Sequence, residues 1–158
     1  LVFYSATLLF LVQMHHMAEI VLHRESGDFG FVARDQSGHL IKMDTSEETG
    51  GQGYGVKPMQ LLLMGLGGCS GIDIVTILKK QRQVIDDFTI RISGNREPGR
   101  EPSLWEEVKI EFVLTGKIDS EKAERACQLS MDKYCSVAET LRKSGTRIGW
   151  EVVVRNGV

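Results

Sequence analysis

Residues 58–82, PMQLLLMGLGGCSGIDIVTILKKQR, constrain the fold more than any other part of the chain. Pro58 suits a first helical position, where its missing N–H would have no intrahelical partner anyway. Lys79, Lys80 and Arg82 close the segment, and cations there complement the helix dipole. Between Leu61 and Leu78 apolar side chains fall on nearly every face, the pattern of a helix buried all round. Roughly 25 residues make a rod of about 37 Å. A chain of 158 residues has difficulty covering such a rod alone, so a second copy is expected to help.

The other segments supply strands and a second helix. Ile20 and Leu22 alternate with Glu19, Val21 and His23, and Phe29, Phe31 and Ala33 alternate with Gly30, Val32 and Arg34. After the turn cluster DQSG at 35–38, residues 39–43 continue a predicted antiparallel meander. The stretch TGGQGYGV at 49–56 is too rich in glycine for a strand or helix interior. It also lacks the Lys-Ser/Thr ending and the preceding parallel strand of a phosphate-binding loop. Phe88, Ile90 and Ile92, then Val108, Ile110 and Phe112, read as a hairpin across the loop at 97–103. Asp119 or Ser120 caps a second helix whose apolar stripe runs through Ala123, Cys127, Ser130, Met131, Tyr134, Ala138 and Leu141. Gly145 stops it, and Ile148, Trp150, Val152 and Val154 form the last strand. The expected order βββ–α–ββ–α–β is that of an α+β protein, its helices segregated from an antiparallel sheet.

Residues 17–158 are expected to form a single domain. In residues 1–16 the apolar run is too short to span a bilayer as a helix, and it has neither the basic start nor the cleavage site of a signal peptide. This segment is expected to be extraneous to the fold, and the adjacent His15 and His16 make a weak chelating pair. Nineteen basic against 21 acidic side chains leave a formal charge of −2, which gives no electrostatic footprint for nucleic acid. No membrane partner is expected either. Three cysteines are an odd number for a disulfide framework and suit a cytoplasmic protein whose disulfides are transient and chemical.

Gly65, Gly67, Gly68 and Gly71 lie inside the first helix, each costing about 0.8–1.0 kcal/mol relative to Ala. Such a cost points to a need for space. Glycines such as Gly65 and Gly68 permit close helix packing, or they leave a small-walled hollow around Cys69. A helical side chain leans over the preceding turn, which puts Cys69 over Gly65. Cys69 reads equally well as a small buried hydrophobe. Cys127 sits on the apolar stripe and reads as inert core. Cys135 is one position off that stripe and could face the first helix, where it would pair with Cys69 if the geometry suits a disulfide.

Pro58-Met59-Gln60-Leu61-Leu62-Leu63, then Gly65-Leu66-Gly67-Gly68-Cys69, then Asp73, and later Lys133-Tyr134-Cys135-Ser136-Val137-Ala138 resemble the OsmC/Ohr family. The resemblance covers about residues 18–156 and looks closest to the uncharacterised OsmC-like branch. It implies an intertwined homodimer with sites at the subunit interface. It also implies a thiol-dependent peroxidase acting on organic hydroperoxides, with Cys69 as peroxidatic and Cys135 as resolving cysteine. An external dithiol would reduce the resulting disulfide, with no metal and no organic cofactor. Oxidative stress protection would be its role.

Two positions depart from the family's peroxidases. Met59 stands where they carry a Glu, and no Arg occurs between His39 and Pro58 to stabilise the thiolate. Lys42 and Lys57 are the only cations in that stretch, and Arg34 lies further upstream as a possible stabiliser. An ordinary thiol, with pKa about 8.5, is only a few per cent thiolate at neutral pH. Asp73, one turn beyond Cys69, would oppose thiolate formation if it shared the space, or form a salt bridge on the helix surface. Two readings stay open: a peroxidase with an altered activation system, and a non-catalytic dimer that binds a small ligand or senses redox state.

Overall fold

The structure is a computed structural model describing residues 17–157. The expectations for residues 1–16 lie outside the described residues. Within the span expected as one domain, contacts divide the chain into two compact units, the first ending at Pro58 and the second beginning at Met59.

The first unit is the expected antiparallel meander, β1 (Ile20–Ser26), β2 (Gly30–Asp35) and β3 (Leu40–Met43). At the β2–β3 turn the Asp35 carboxylate accepts the N–H groups of Ser37 and His39 and faces His39 Nδ1 at 2.8 Å. Val32 and Met43 are its buried apolar side chains among the described residues, with Asp44 buried beside them in the chain.

The glycine-rich loop after β3 has a definite task. The Asp44 carboxylate accepts the N–H groups of Thr45 at 2.8 Å, Gln52 at 2.8 Å and Tyr54 at 3.0 Å. The chain's own carboxylate thus fills the ring of amides that a phosphate would need. Val56 then lies alongside Met43 as a parallel bridge, donating to Lys42 O and accepting from Asp44 N, each at 3.0 Å. A Cβ at Gly51 would collide with the Thr45 carbonyl, and one at Gly55 with the Lys42 main chain. These two glycines are required by close approach of backbone to backbone.

In the second unit, α1 (Pro58–Lys80) is followed by β4 (Val84–Arg96) and β5 (Trp105–Lys117), the expected hairpin. Next come α2 (Ser120–Leu129), a wide turn of π type at Ser130–Tyr134, α3 (Ser136–Lys143) and β6 (Arg147–Arg155). Asp119 caps α2 by accepting the Lys122 N–H at 2.9 Å. Gly145, at φ 97°, ends α3.

Two expectations need correction here. The sheet is not wholly antiparallel, because β6 pairs with β5 in parallel from Glu107↔Arg147 to Thr115↔Arg155. The reason is topological: α2 and α3 form a crossover that returns the chain to the start of β5, and a strand reached by a crossover runs parallel. Nor is α1 buried all round within the described chain. Leu66, Ile74 and Leu78 are fully buried in the core with β5, α2 and α3, whereas Ile72 is 70% exposed, Met64 53% and Leu62 42%. By length and composition alone α1 would suffice to cross a membrane, yet its buried stripe is committed to this core.

Candidate redox site

The close packing bought by glycine falls on Gly67 and Gly71. A Cβ at Gly67 would press on Ile92 Cδ1 at 3.0 Å, and one at Gly71 on Ile90 Cδ1 at 2.8 Å. These glycines let α1 lie directly on β4. Gly65 and Gly68, singled out in the sequence for packing, are both exposed. A Cβ at Gly68 would meet open space, and one at Gly65 would touch only Val137 Cγ1, at 4.0 Å. Beside the first turns of α1 a cavity of about 450 Å³ opens between the helix and β4, lined by Gln60, Leu63, Met64, Gly67, Ile90 and Ile92.

A different line of α1, at spacing i, i+4, faces the α2–α3 segment. Gly65 meets Val137. Cys69 neighbours Cys135, whose thiol it helps to push up. Asp73 Oδ2 accepts the Ser130 hydroxyl at 3.0 Å. The partners descend 137, 135, 130 as α1 ascends 65, 69, 73, so the two segments run antiparallel with the cysteines on the middle rung. All three cysteines are free thiols.

Each thiol has its own environment. Cys69 is half-buried. Cys135 is 3% exposed, and burial pushes its thiol up to about 11. The Ala138 N–H, which donates to Cys135 Sγ at 3.4 Å, opposes that shift, and the Cys69 thiol reinforces it. Cys127 is fully buried, with its thiol pushed to about 12 by burial, as expected of an inert core residue.

How Cys135 reaches the middle rung was not visible in the periodicity. The stripe predicted a continuous helix with Tyr134 inward, but Tyr134 is 48% exposed and Cys135 is buried. Across Ser130–Tyr134 the helix widens by one residue, the Cys135 N–H bonding Ser130 O at 2.8 Å. That i to i+5 bond advances the phase by one position. Cys135 then leaves the helical region and caps α3 with its own sulfur.

The other candidates fall as follows. Among the described residues Asp73 makes no salt bridge; its partner is the buried hydroxyl of Ser130, which also lies 3.4 Å from Ser70 O. Arg34 is exposed on β2, in register with Val21 and Leu40. Lys42 places its ammonium over the Tyr54 ring at 4.8 Å, and Lys133 over Tyr134 at 5.3 Å. Met59 packs on the core, and its carbonyl accepts the Trp105 indole N–H at 3.1 Å. Among the described residues no cluster of His, Cys, Asp and Glu could hold a metal.

The fold and this site define an α+β protein with one free thiol on α1 and a second at the cap of α3. The chain belongs to the OsmC-like protein family, whose model matches residues 50–151. It is 38% identical over 115 residues to protein YhfA of Escherichia coli K12, an alignment covering 72% of this chain and 82% of YhfA. A hypothetical protein from Aquifex aeolicus superposes with a TM-score of 0.73 at 34% identity, covering 88% of this chain and 98% of that one. An organic hydroperoxide resistance protein OsmC from Legionella pneumophila shares the fold, with a TM-score of 0.66 at 18% identity over 87% of this chain and 97% of that one.

Proposed function

We propose that the protein is a thiol-dependent peroxidase for organic hydroperoxides, working through Cys69 and Cys135. The observation that carries this reading is the pairing of a half-buried thiol with a buried, proton-holding one on the middle rung of the α1 interface. Cys69 is the one a substrate can reach.

In the first step the Cys69 thiolate attacks the terminal peroxide oxygen. The O–O bond breaks, Cys69 becomes a sulfenic acid, and the alkoxide leaves as the alcohol after taking a proton. Cys135 then attacks the Cys69 sulfur. The S–O bond breaks, an S–S bond forms, and the hydroxide departs as water with the Cys135 proton. An external dithiol returns both cysteines to thiols. The low-identity relative from Legionella, described as an organic hydroperoxide resistance protein, supports the choice of substrate class.

The working unit on this reading is a homodimer in the cytoplasm. The exposed Ile72, Met64 and Leu62 leave apolar surface on α1 for a second copy to cover. A second reading, capture of a small apolar ligand without chemistry, is favoured by the cavity between α1 and β4 and by Met59 in the place of the family's Glu.

Stopped-flow consumption of cumene hydroperoxide with a dithiol reductant tests the proposal. The parent should turn over, Cys69→Ser should abolish the reaction, and Cys135→Ser should allow a single oxidation of Cys69 without disulfide closure. A parent that consumes no peroxide above the free-dithiol background overturns the peroxidase reading in favour of ligand binding.

A further inference from the structure

Ser130 is fully buried and works in two directions at once. Its side chain reaches α1, donating to Asp73 Oδ2 at 3.0 Å and lying 3.4 Å from Ser70 O. Its main-chain carbonyl receives the Cys135 N–H at 2.8 Å, the bond that defines the wide turn. Asp73 stands one helical turn beyond Cys69 on the same line of α1. One residue therefore ties the helix that carries Cys69 to the turn that delivers Cys135. A wide turn can slip back to α-helical phase, which would rotate Cys135 out and Tyr134 in. Ala at 130 would retain the carbonyl and lose only the tie to α1.

We infer that Ser130 and Asp73 are positioning residues for disulfide closure, holding Cys135 in register with Cys69. Neither touches the peroxide, and neither exchanges a proton with either sulfur. The pair acts on the second step, in which the Cys135 sulfur displaces hydroxide from the Cys69 sulfenic acid and water leaves. The inference rests on the Cys69–Cys135 pairing proposed above, but not on the peroxide as oxidant. Diamide separates the two. Cys69 adds to its N=N bond, Cys135 displaces the hydrazine, and the same disulfide forms with no peroxide present.

The experiment uses the full chain and follows diamide-driven loss of the Cys69 and Cys135 thiols by mass spectrometry, with the thiol–disulfide equilibrium against dithiothreitol measured in parallel. Ser130→Ala and Asp73→Ala should each slow closure by roughly tenfold or more, as expected when one reacting group of an intramolecular pair is displaced. Both should shift the equilibrium toward dithiol by a similar factor. Ser130→Thr, which restores the hydroxyl, should recover both readouts. A merely structural role would lower the melting temperature and leave closure within the folded molecules unchanged.

Closure and equilibrium at parental values in a folded Ser130→Ala or Asp73→Ala protein overturn the positioning role. Asp73 is only partly buried, so its variant serves if Ser130→Ala does not fold. A parent that forms no Cys69–Cys135 disulfide with diamide overturns both the pairing and the role built on it. A parent that closes with diamide but ignores hydroperoxide removes the peroxidase reading and leaves the positioning role standing.

Discussion

The two units of the chain reach order by opposite means. The second is organised around apolar burial: Phe112 and Leu114 of β5, Leu66 and Ile74 of α1 and Ala126 of α2 are all fully buried. The first has Val32 and Met43 as its buried apolar side chains among the described residues, while Ile20, Val21 and Leu22 are each more than half exposed. What orders its loop is a polar knot, the three backbone N–H groups converging on Asp44. Both candidate cysteines belong to the unit with the packed core. Redox partners need fixed separation, and close packing fixes it better than a loop can.

This contrast predicts which substitutions each unit tolerates. The largest effect should come from Phe112→Ala. The Phe112 ring is fully buried, with ring centres 6.2 Å from Phe88 and 6.5 Å from Trp150. Its removal should cost about 3–5 kcal/mol, read as a drop in the urea midpoint at unchanged slope. A loss under about 1 kcal/mol would mean that this unit is not held by its core.

A smaller and local effect should follow Gly55→Ala in the first unit. The added methyl would strike the Lys42 main chain, which cannot move aside as a side-chain tip would. Forced shifts of this kind cost about 1–3 kcal/mol. The Met43–Val56 bridge should open, detected as faster amide exchange at Val56 and Asp44 and as new protease cleavage in residues 49–56. Exchange at Phe112 and Leu114 should not change. Parallel acceleration in both units would erase the distinction between them.

The order of elements was legible because alternation of period two marks strands, and Pro58, Asp119 and Gly145 punctuate helices by local chemistry alone. The same locality explains what was missed. The direction of β6 depends on where the α2–α3 crossover delivers the chain, which no local pattern encodes. Cys135 falls off the stripe in sequence because a fixed period of 3.6 cannot express the extra residue of a wide turn. The sequence pattern makes Ser130 one more member of the apolar stripe, since its partner Asp73 is distant in sequence. Its glycine content alone sets the 49–56 loop apart from helix and strand. Its purpose became visible only with Asp44 at its centre.

The last and smallest expected effect concerns acid, and it acts on the polar knot. The N–H groups of Tyr54 and Gln52, with that of Thr45, hold the Asp44 carboxyl below the usual carboxylate value, against the opposing pull of burial. Asp35, in the same unit, is also lowered, mainly by its hydrogen bond from the His39 side chain. A carboxylate whose folded pKa is depressed contributes stability that is fully present above its unfolded value, near about 3.9. That contribution is lost as pH falls through the lower folded value. The loop should therefore stay anchored from neutral pH down to about 4 and loosen only in stronger acid. The amide proton shifts of Gln52 and Tyr54 should move together, with a midpoint below that of an ordinary carboxylate. In Asp44→Asn the shared titration should vanish, because the replacement amide carries no charge to lose. A midpoint at or above the ordinary value would show that the amides do not stabilise charge on Asp44. The glycines at 51 and 55 would then serve only to bring main chain against main chain.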